Sequence, residues 1–228
     1  SYTATFTPTS NYKWSDGTTT AKNVSWTIGK ATLTVTATSK TITYGDAVPS
    51  YTYTVAGYKN GETETVMTTK PTISCSYTRY GNVGSYDITV SGAVASNYSF
   101  SYVKGKLTVN KRVVTATWPT TTSFVYDGAS HSVVATIGNL VNSDAVTFSY
   151  TGNTSATNVG SYTATISGLS GTKASNYSLP SNTTQAWEIT DATIAYTATG
   201  YTGTYDGNAH GGTVTVTTPS SGATVKFG

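Results

Sequence analysis

"NVGSYDITVSG" runs from Asn82 to Gly92, and "NVGSYTATISG" runs from Asn158 to Gly168. A second shared string follows each, "ASNYSF" (Ala95–Phe100) and "ASNYSL" (Ala174–Leu179). Strings repeated in the same order are either a duplicated site or a joint that the fold needs once per repeat. As a joint, Gly84 and Gly160 supply a turn conformation that other residues resist. Tyr86 and Tyr162 then begin a strand with the ring inward and the hydroxyl reaching for backbone, as in a tyrosine corner. "SNY" repeats the device one strand later.

The strings sit inside a longer period. "TYGD" (Thr43–Asp46), "VYDG" (Val125–Gly128) and "TYDG" (Thr204–Gly207) place their tyrosines 82 and 79 residues apart, and "SNY" places Tyr12, Tyr98 and Tyr177 86 and 79 apart. A closing strand ends each unit: "SWTIGK" (Ser25–Lys30), "KLTVNK" (Lys106–Lys111) and "AWEITD" (Ala186–Asp191). The period of about 80 residues marks a repeat array. Residues 1–29 read as the C-terminal part of one repeat, 30–110 and 111–190 as complete repeats, and 191–228 as the N-terminal part of another. In that last part "ATVKFG" (Ala223–Gly228) matches "AVTFSY" (Ala145–Tyr150). The chain opens at Ser1 in mid-strand, which reads as a fragment.

Short runs of Thr, Val and Tyr separated by turn signals every 8–12 residues predict small antiparallel β-sandwiches of an immunoglobulin-like kind. In the first complete repeat the strands fall near Leu33–Ser39, Thr41–Tyr44, Tyr51–Ala56, Glu64–Met67, Thr72–Tyr77, Ser85–Ser91 and Tyr98–Val109. "KNGE" (Lys59–Glu62) reads as a hairpin turn of the Asn-Gly type, with both central residues at positive φ. Each unit is small enough to bury only about 60–65% of its chain surface.

The closing strand of each repeat runs into the next with no Gly, Ser or Pro tract, which argues against a flexible linker. The last inward residue of one unit and the first of the next are Ile28 and Leu33, Val109 and Val114, Ile189 and Ile194, each pair five apart. An odd offset reverses the face of a strand. One segment then serves two cores in turn, and the repeats are expected to stack end to end as a rod of roughly 35–45 Å per unit.

Composition agrees with an all-β chain. Charged residues are 10%, against roughly 25% in ordinary soluble domains, and Tyr (18) outnumbers Phe (5). No stretch shows helical apolar spacing. The net charge of +3 is small, and the densest basic patch (Lys104, Lys106, Lys111, Arg112) has no aromatic interleaving, so it reads as a solvated strand end and not a nucleic-acid surface. Cys75 is the single cysteine, which precludes an internal disulfide; its alternation with Ile73 and Tyr77 reads as core packing. No run of 18 apolar residues is present, and no insertion into a membrane is expected of this segment.

Candidate chemistry is sparse. His131 and His210 align, each five residues after the tyrosine of the "YDG" marker, but the first complete repeat has Pro49 there, so they read as strand-entrance residues. The Asp-Gly pairs read as turns and not as calcium loops. No nucleophile elbow is present, and no catalytic, cofactor or metal residue is nominated. Glu188, between Trp187 and Ile189, faces away from them, which disfavours the buried acid of a Lys–Asn isopeptide bond. Alternating Thr could present flat arrays to ice or sugar, although Thr is also the ordinary outward residue of a strand. As ligand-binding candidates, Trp14, Trp118 and Tyr80 could stack on a glycan.

Residues 41–111 ("TITYGD…YTYTVAGYKNGE…NVGSYDITVSG…SNYSFSYVKGKLTVNK") resemble the MBG repeat, and residues 124–189 ("FVYDGASHS…NVGSYTATISG…SNYSLP…AWEI") the related YDG-type repeat. The resemblance implies tandem β-rich modules of large bacterial surface and adhesin-like proteins, extracellular, with no catalytic residue and no defined ligand site. The expected function is a stalk or spacer projecting a distal binding region; the alternative is an adhesion module that binds a host glycan or protein through exposed aromatic and Thr-rich faces. Expected partners are the neighbouring repeats. The incomplete ends are expected to be disordered, or to complete one another between molecules by strand addition.

Overall fold

The computed structural model describes residues 1–218. The match proposed for Ala223–Gly228 lies outside the described residues. The chain divides into two compact units between Asn110 and Lys111.

In the first unit, "ATLTVTA" (Ala31–Ala37) alternates as a half-buried strand must: Leu33 and Val35 are fully buried and Ala37 nearly so, with threonines between them. This opening strand pairs antiparallel with Tyr53–Ala56 and parallel with Tyr98–Val103. The chain then bends and continues as Lys40–Thr43, which pairs parallel with Gly105–Asn110. That strand pairs antiparallel with Gly84–Ser91, and Gly84–Ser91 with Thr72–Cys75. The result is a three-stranded and a four-stranded sheet. Leu33 and Tyr98 from one sheet, and Ile88, Leu107 and Val109 from the other, are all at most 4% exposed.

The opening and closing strands thus each belong to both sheets. Where they cross, a Cβ on Gly105 would lie 2.6 Å from the Ala37 carbonyl oxygen. Only glycine lets the two backbones approach that closely. The backbone N–H of Lys106 donates to Ser39 Oγ at 3.0 Å and closes the crossing.

The second unit repeats the scheme. Arg112–Val113 pairs parallel with Tyr177–Ser178, and Thr115–Thr117 pairs antiparallel with Thr136–Gly138. A four-stranded sheet runs in the order Ser123–Val125, Thr184–Thr190, Gly160–Ser170, Thr147–Gly152, its first pair parallel. Val133, Ala164, Trp187 and Ile189 form the core, with Phe124, Tyr162 and Trp118 packed on it.

The all-β sandwich expectation holds, with one difference in strand direction. The inner ladders are antiparallel, whereas the first and last strands of each unit are parallel neighbours. Two strands that carry the chain the same way through both sheets can only pair in parallel. Two further details differ in the first unit. Glu64–Val66 is a 3₁₀ turn and only Met67–Thr69 is a strand, while the segment expected as Tyr98–Val109 breaks at Lys104, where it changes sheets.

Each end segment contains one hairpin among the described residues. Tyr2–Phe6 pairs antiparallel with Lys22–Trp26, and Ala195–Thr199 with Thr213–Thr218. Neither hairpin closes into a sandwich among the described residues. The first has the register of the equivalent pair in the second unit: Tyr2 lies opposite Trp26 as Tyr162 lies opposite Trp187, and Ala4 opposite Val24 as Ala164 opposite Gln185. Ile28 (72% exposed) and Ile194 (45%) therefore correct the inward placement expected of them, whereas Val109 and Val114 are buried as expected. Ile28 and Ile194 adjoin single hairpins, and a hairpin without a second sheet has no interior.

Candidate functional site

The repeated strings are the natural place to look for a site, and the tyrosine hydroxyls of "NVGSY" are spent on nearby backbone carbonyls. The Tyr86 hydroxyl donates to the carbonyl of Asn82 at 2.7 Å, and Tyr162 to that of Asn158 at 2.6 Å. Each ring packs beside a core aromatic, Tyr86 against Tyr77 and Tyr162 against Trp187. These are the tyrosine-corner bonds expected from sequence. The glycines differ from that expectation. Gly84 has φ +149°, in the region that favours glycine, but Gly160 does not; a Cβ there would sit 3.2 Å from the Tyr162 hydroxyl. At Gly160 the requirement is room for the tyrosine.

"SNY" carries a different bond from the one expected, a clasp on a turn. In the second unit the Tyr177 hydroxyl accepts the Val141 N–H at 3.1 Å and donates to Asp144 Oδ2 at 2.8 Å. In the first, the Tyr98 hydroxyl accepts the Lys59 N–H at 2.9 Å and donates to the Glu62 carboxylate. Both clasped turns have two central residues at positive φ: Asn60 (53°) and Gly61 (74°), Asn142 (55°) and Ser143 (55°). "KNGE" therefore has the predicted turn geometry but leads into the 3₁₀ turn and not into a hairpin partner. Burial pushes the Tyr177 phenol above its ordinary value and Asp144 adds to the rise; for Tyr98 the Glu62 acceptor is the leading cause. An Asn, one residue and an acid recurring ahead of the "SNY" of both complete repeats was the signal available in the sequence.

The aligned histidines form a third repeated device. His131 Nε2 lies 3.1 Å from Asp127 Oδ1, and His210 Nε2 lies 2.6 Å from Asp206 Oδ1. Each imidazole also stacks on an aromatic ring, His131 on Phe124 and His210 on Tyr201. Both aspartates are held below the usual carboxylate range, first by a backbone N–H (Ala129 or Asn208), with the histidine adding to it. His131 opens the short strand His131–Ser132, as expected of a strand-entrance residue.

The three ligand-binding candidates are half-buried and engaged in different places. Trp14 donates its indole N–H to the Thr20 carbonyl at 2.8 Å, with Lys22 over the ring. Trp118 donates to the Asn182 carbonyl at 3.0 Å and packs on the core of its unit. Tyr80 has φ 66° in a turn, with the Arg79 guanidinium over its ring. Trp14 and Tyr80 belong to the first unit and Trp118 to the second. The more exposed Tyr2–Trp26 stack occupies the positions that line the core in the second unit.

Remaining groups fit the same pattern. Lys104 and Lys106 both reach Asp87, whose carboxyl is lowered chiefly by the Lys104 hydrogen bond. Glu188 faces outward and accepts from Ser123 Oγ at 3.0 Å. Cys75 is a half-buried free thiol. An open depression on the second unit is lined by Thr122, Ser123, Ser161, Thr163 and Glu188 with Ala186, Tyr162 and Trp187. No group of three or more His, Cys, Asp or Glu side chains suited to a metal occurs among the described residues.

Comparison with known families agrees with the repeat pattern. Residues 33–108 match the MBG domain (YGX type) and residues 110–185 match the YDG domain. No curated protein and no solved structure matches the chain.

Proposed function

We propose that this chain, which carries an MBG domain (YGX type) followed by a YDG domain, is a spacer segment of a bacterial surface or adhesin-like protein, holding a distal binding region away from the cell. Domains of these two families occur in surface and adhesin-like proteins, and neither family is known for enzymes. No helix among the described residues is long and apolar enough to cross a membrane. The observation that carries the proposal is what repeats. The same strand register recurs in both complete units, and the repeated tyrosines hydrogen-bond to their own unit's corners and turns. What the repeat preserves is architecture, while the residues that a ligand could use differ from unit to unit. Asn110 ends one unit's closing strand and Arg112 begins the next unit's opening strand, which leaves no length for a flexible tether.

Small-angle scattering on the full chain tests this directly. A spacer gives an elongated particle whose length grows by a fixed increment for each added repeat; a compact or freely jointed particle refutes it. A glycan array distinguishes the adhesion-module alternative, which predicts retention that Trp14, Trp118 or Tyr80 substitutions abolish without unfolding the chain.

A further inference from the structure

We infer that the parallel pairing of first and last strands makes each complete unit a shear-loaded clamp, and that the unit ending at Asn110 yields at higher force than the one beginning at Lys111. That the chain carries tension at all rests on the spacer reading; the geometry of the clamp does not.

In the first unit Tyr98 lies opposite Ala31 and Val103 opposite Thr36, then Leu107 opposite Lys40 and Asn110 opposite Thr43. Tension along the chain pulls the opening strand backward at its start and the closing strand forward at its end. In a parallel pair these pulls slide one strand along the other. The evenly spaced inter-strand bonds are then strained together and not broken one at a time. An antiparallel first–last pair would instead be peeled from one end. The ladder is almost continuous: Thr32 and Ser99 join their hydroxyls at 3.2 Å, Lys106 bonds Ser39 at the crossing, and the Tyr44 N–H reaches the Asn110 carbonyl at 2.9 Å.

The second unit has the same two ladders but shorter ones. Arg112–Val113 pairs with Tyr177–Ser178 and Ser123–Val125 with Glu188–Thr190. The Val114 N–H to the Ser178 carbonyl (3.1 Å), the Glu188 N–H to the Thr122 carbonyl (2.8 Å) and the Tyr126 N–H to the Thr190 carbonyl (2.9 Å) extend them, and they still hold fewer paired residues than the first unit's ladders. Between them the strands separate into segments containing Pro119 and Pro180, and proline cannot donate to a ladder. Side chains bridge this gap: Asn182 Nδ2 donates to the Ala116 carbonyl at 2.9 Å, and Trp118 to Asn182. Forced unfolding follows the barrier and not equilibrium stability, so fewer simultaneously strained bonds mean a lower yield force.

Single-molecule pulling of the full chain between its ends tests the inference. A Cys75→Ser background carrying Thr34→Cys and Ser101→Cys, residues opposite each other in the ladder, allows a disulfide across the first unit. Oxidation withholds the 66 residues between them, shortening that unit's step by about 240 Å at roughly 3.6 Å per residue. The expected result is that oxidation shortens the high-force step; shortening of the low-force step, or equal forces, overturns the ranking. Moving the second handle to Asn97→Cys, in the same background without the other two cysteines, pulls the opening and closing strands from one shared end. The force should then fall while the denaturant midpoint stays unchanged. An equal force in both directions overturns the shear mechanism and leaves the scattering test of the spacer untouched.

Discussion

Replacing Tyr177 by Phe removes one oxygen and leaves the ring, so it isolates the turn clasp. Tyr177 is 2% exposed. Its hydroxyl is the acceptor for the Val141 N–H and the donor to Asp144. Each net hydrogen bond contributes about 1 kcal/mol, and a partner left unsatisfied away from water costs about 1–3. Val141 and Asp144 are only half-buried, so water can reach them in part, and the expected loss is about 1–2 kcal/mol. For a unit of this size that corresponds to a fall in Tm of roughly 4–16 °C.

The assay follows from where the tryptophans lie. The chain has four, at positions 14, 26, 118 and 187, and none falls in residues 30–110. Trp187 is 3% exposed in the second unit's core, so its emission reports that unit's unfolding in urea. Tyr177→Phe should move that midpoint to lower urea, and Tyr126→Phe, whose ring is 40% exposed, should move it by under about 0.5 kcal/mol equivalent. A double-mutant cycle with Asp144→Asn should show coupling, because the two groups share a bond. If Tyr177→Phe leaves the midpoint in place, the clasp contributes nothing and the role assigned to "SNY" is wrong.

Alkaline stability gives a second check. Burial raises the phenols of Tyr58, Tyr77 and Tyr177, and burial together with Cys75 raises Tyr51 to about 12. A folded-state pKa above the unfolded value near 10 stabilises the fold fully at lower pH, and that contribution is lost as pH rises toward the folded value. Urea midpoints should hold near neutral pH and fall between about pH 10 and 12; a midpoint independent of pH in that window contradicts the burial of these hydroxyls. Gly105→Ala places a methyl 2.6 Å from the Ala37 carbonyl and should destabilise the first unit by about 1–3 kcal/mol, read by calorimetry, with the Trp187 transition unmoved. Trp118→Ala should lower the second unit's urea midpoint, since the indole bridges the strand gap; an unchanged midpoint would refute that structural role. Intact mass should equal the sequence mass, because Glu188 is exposed on the outer face; a deficit of one ammonia would reveal an isopeptide bond.

The period, the strand faces and the Tyr86 and Tyr162 corners were legible from sequence because each depends on residues close in the chain. Alternation sets which face of "ATLTVTA" turns inward, and a hydroxyl four residues from a carbonyl needs only a local turn to reach it. The positive φ values at Asn60 and Gly61 were legible for the same reason. The clasp was not, because Tyr98 and Glu62 are 36 residues apart and only folding brings them together. The direction of the outer ladders was equally hidden: residue patterning marks strands near Leu33–Ser39 and from Tyr98 onward, but parallel or antiparallel pairing depends on how the chain between them returns. Gly160 shows the same division within one residue. Its place beside Tyr162 is written in the string, yet the reason for glycine is the space taken by that ring once the strand packs. By itself the sequence determined that this protein is a repeat of small β units with a period of about 80 residues. Only the tertiary structure decided that the first and last strands of each unit lie side by side and in parallel, because a long-range contact has no local residue pattern to announce it.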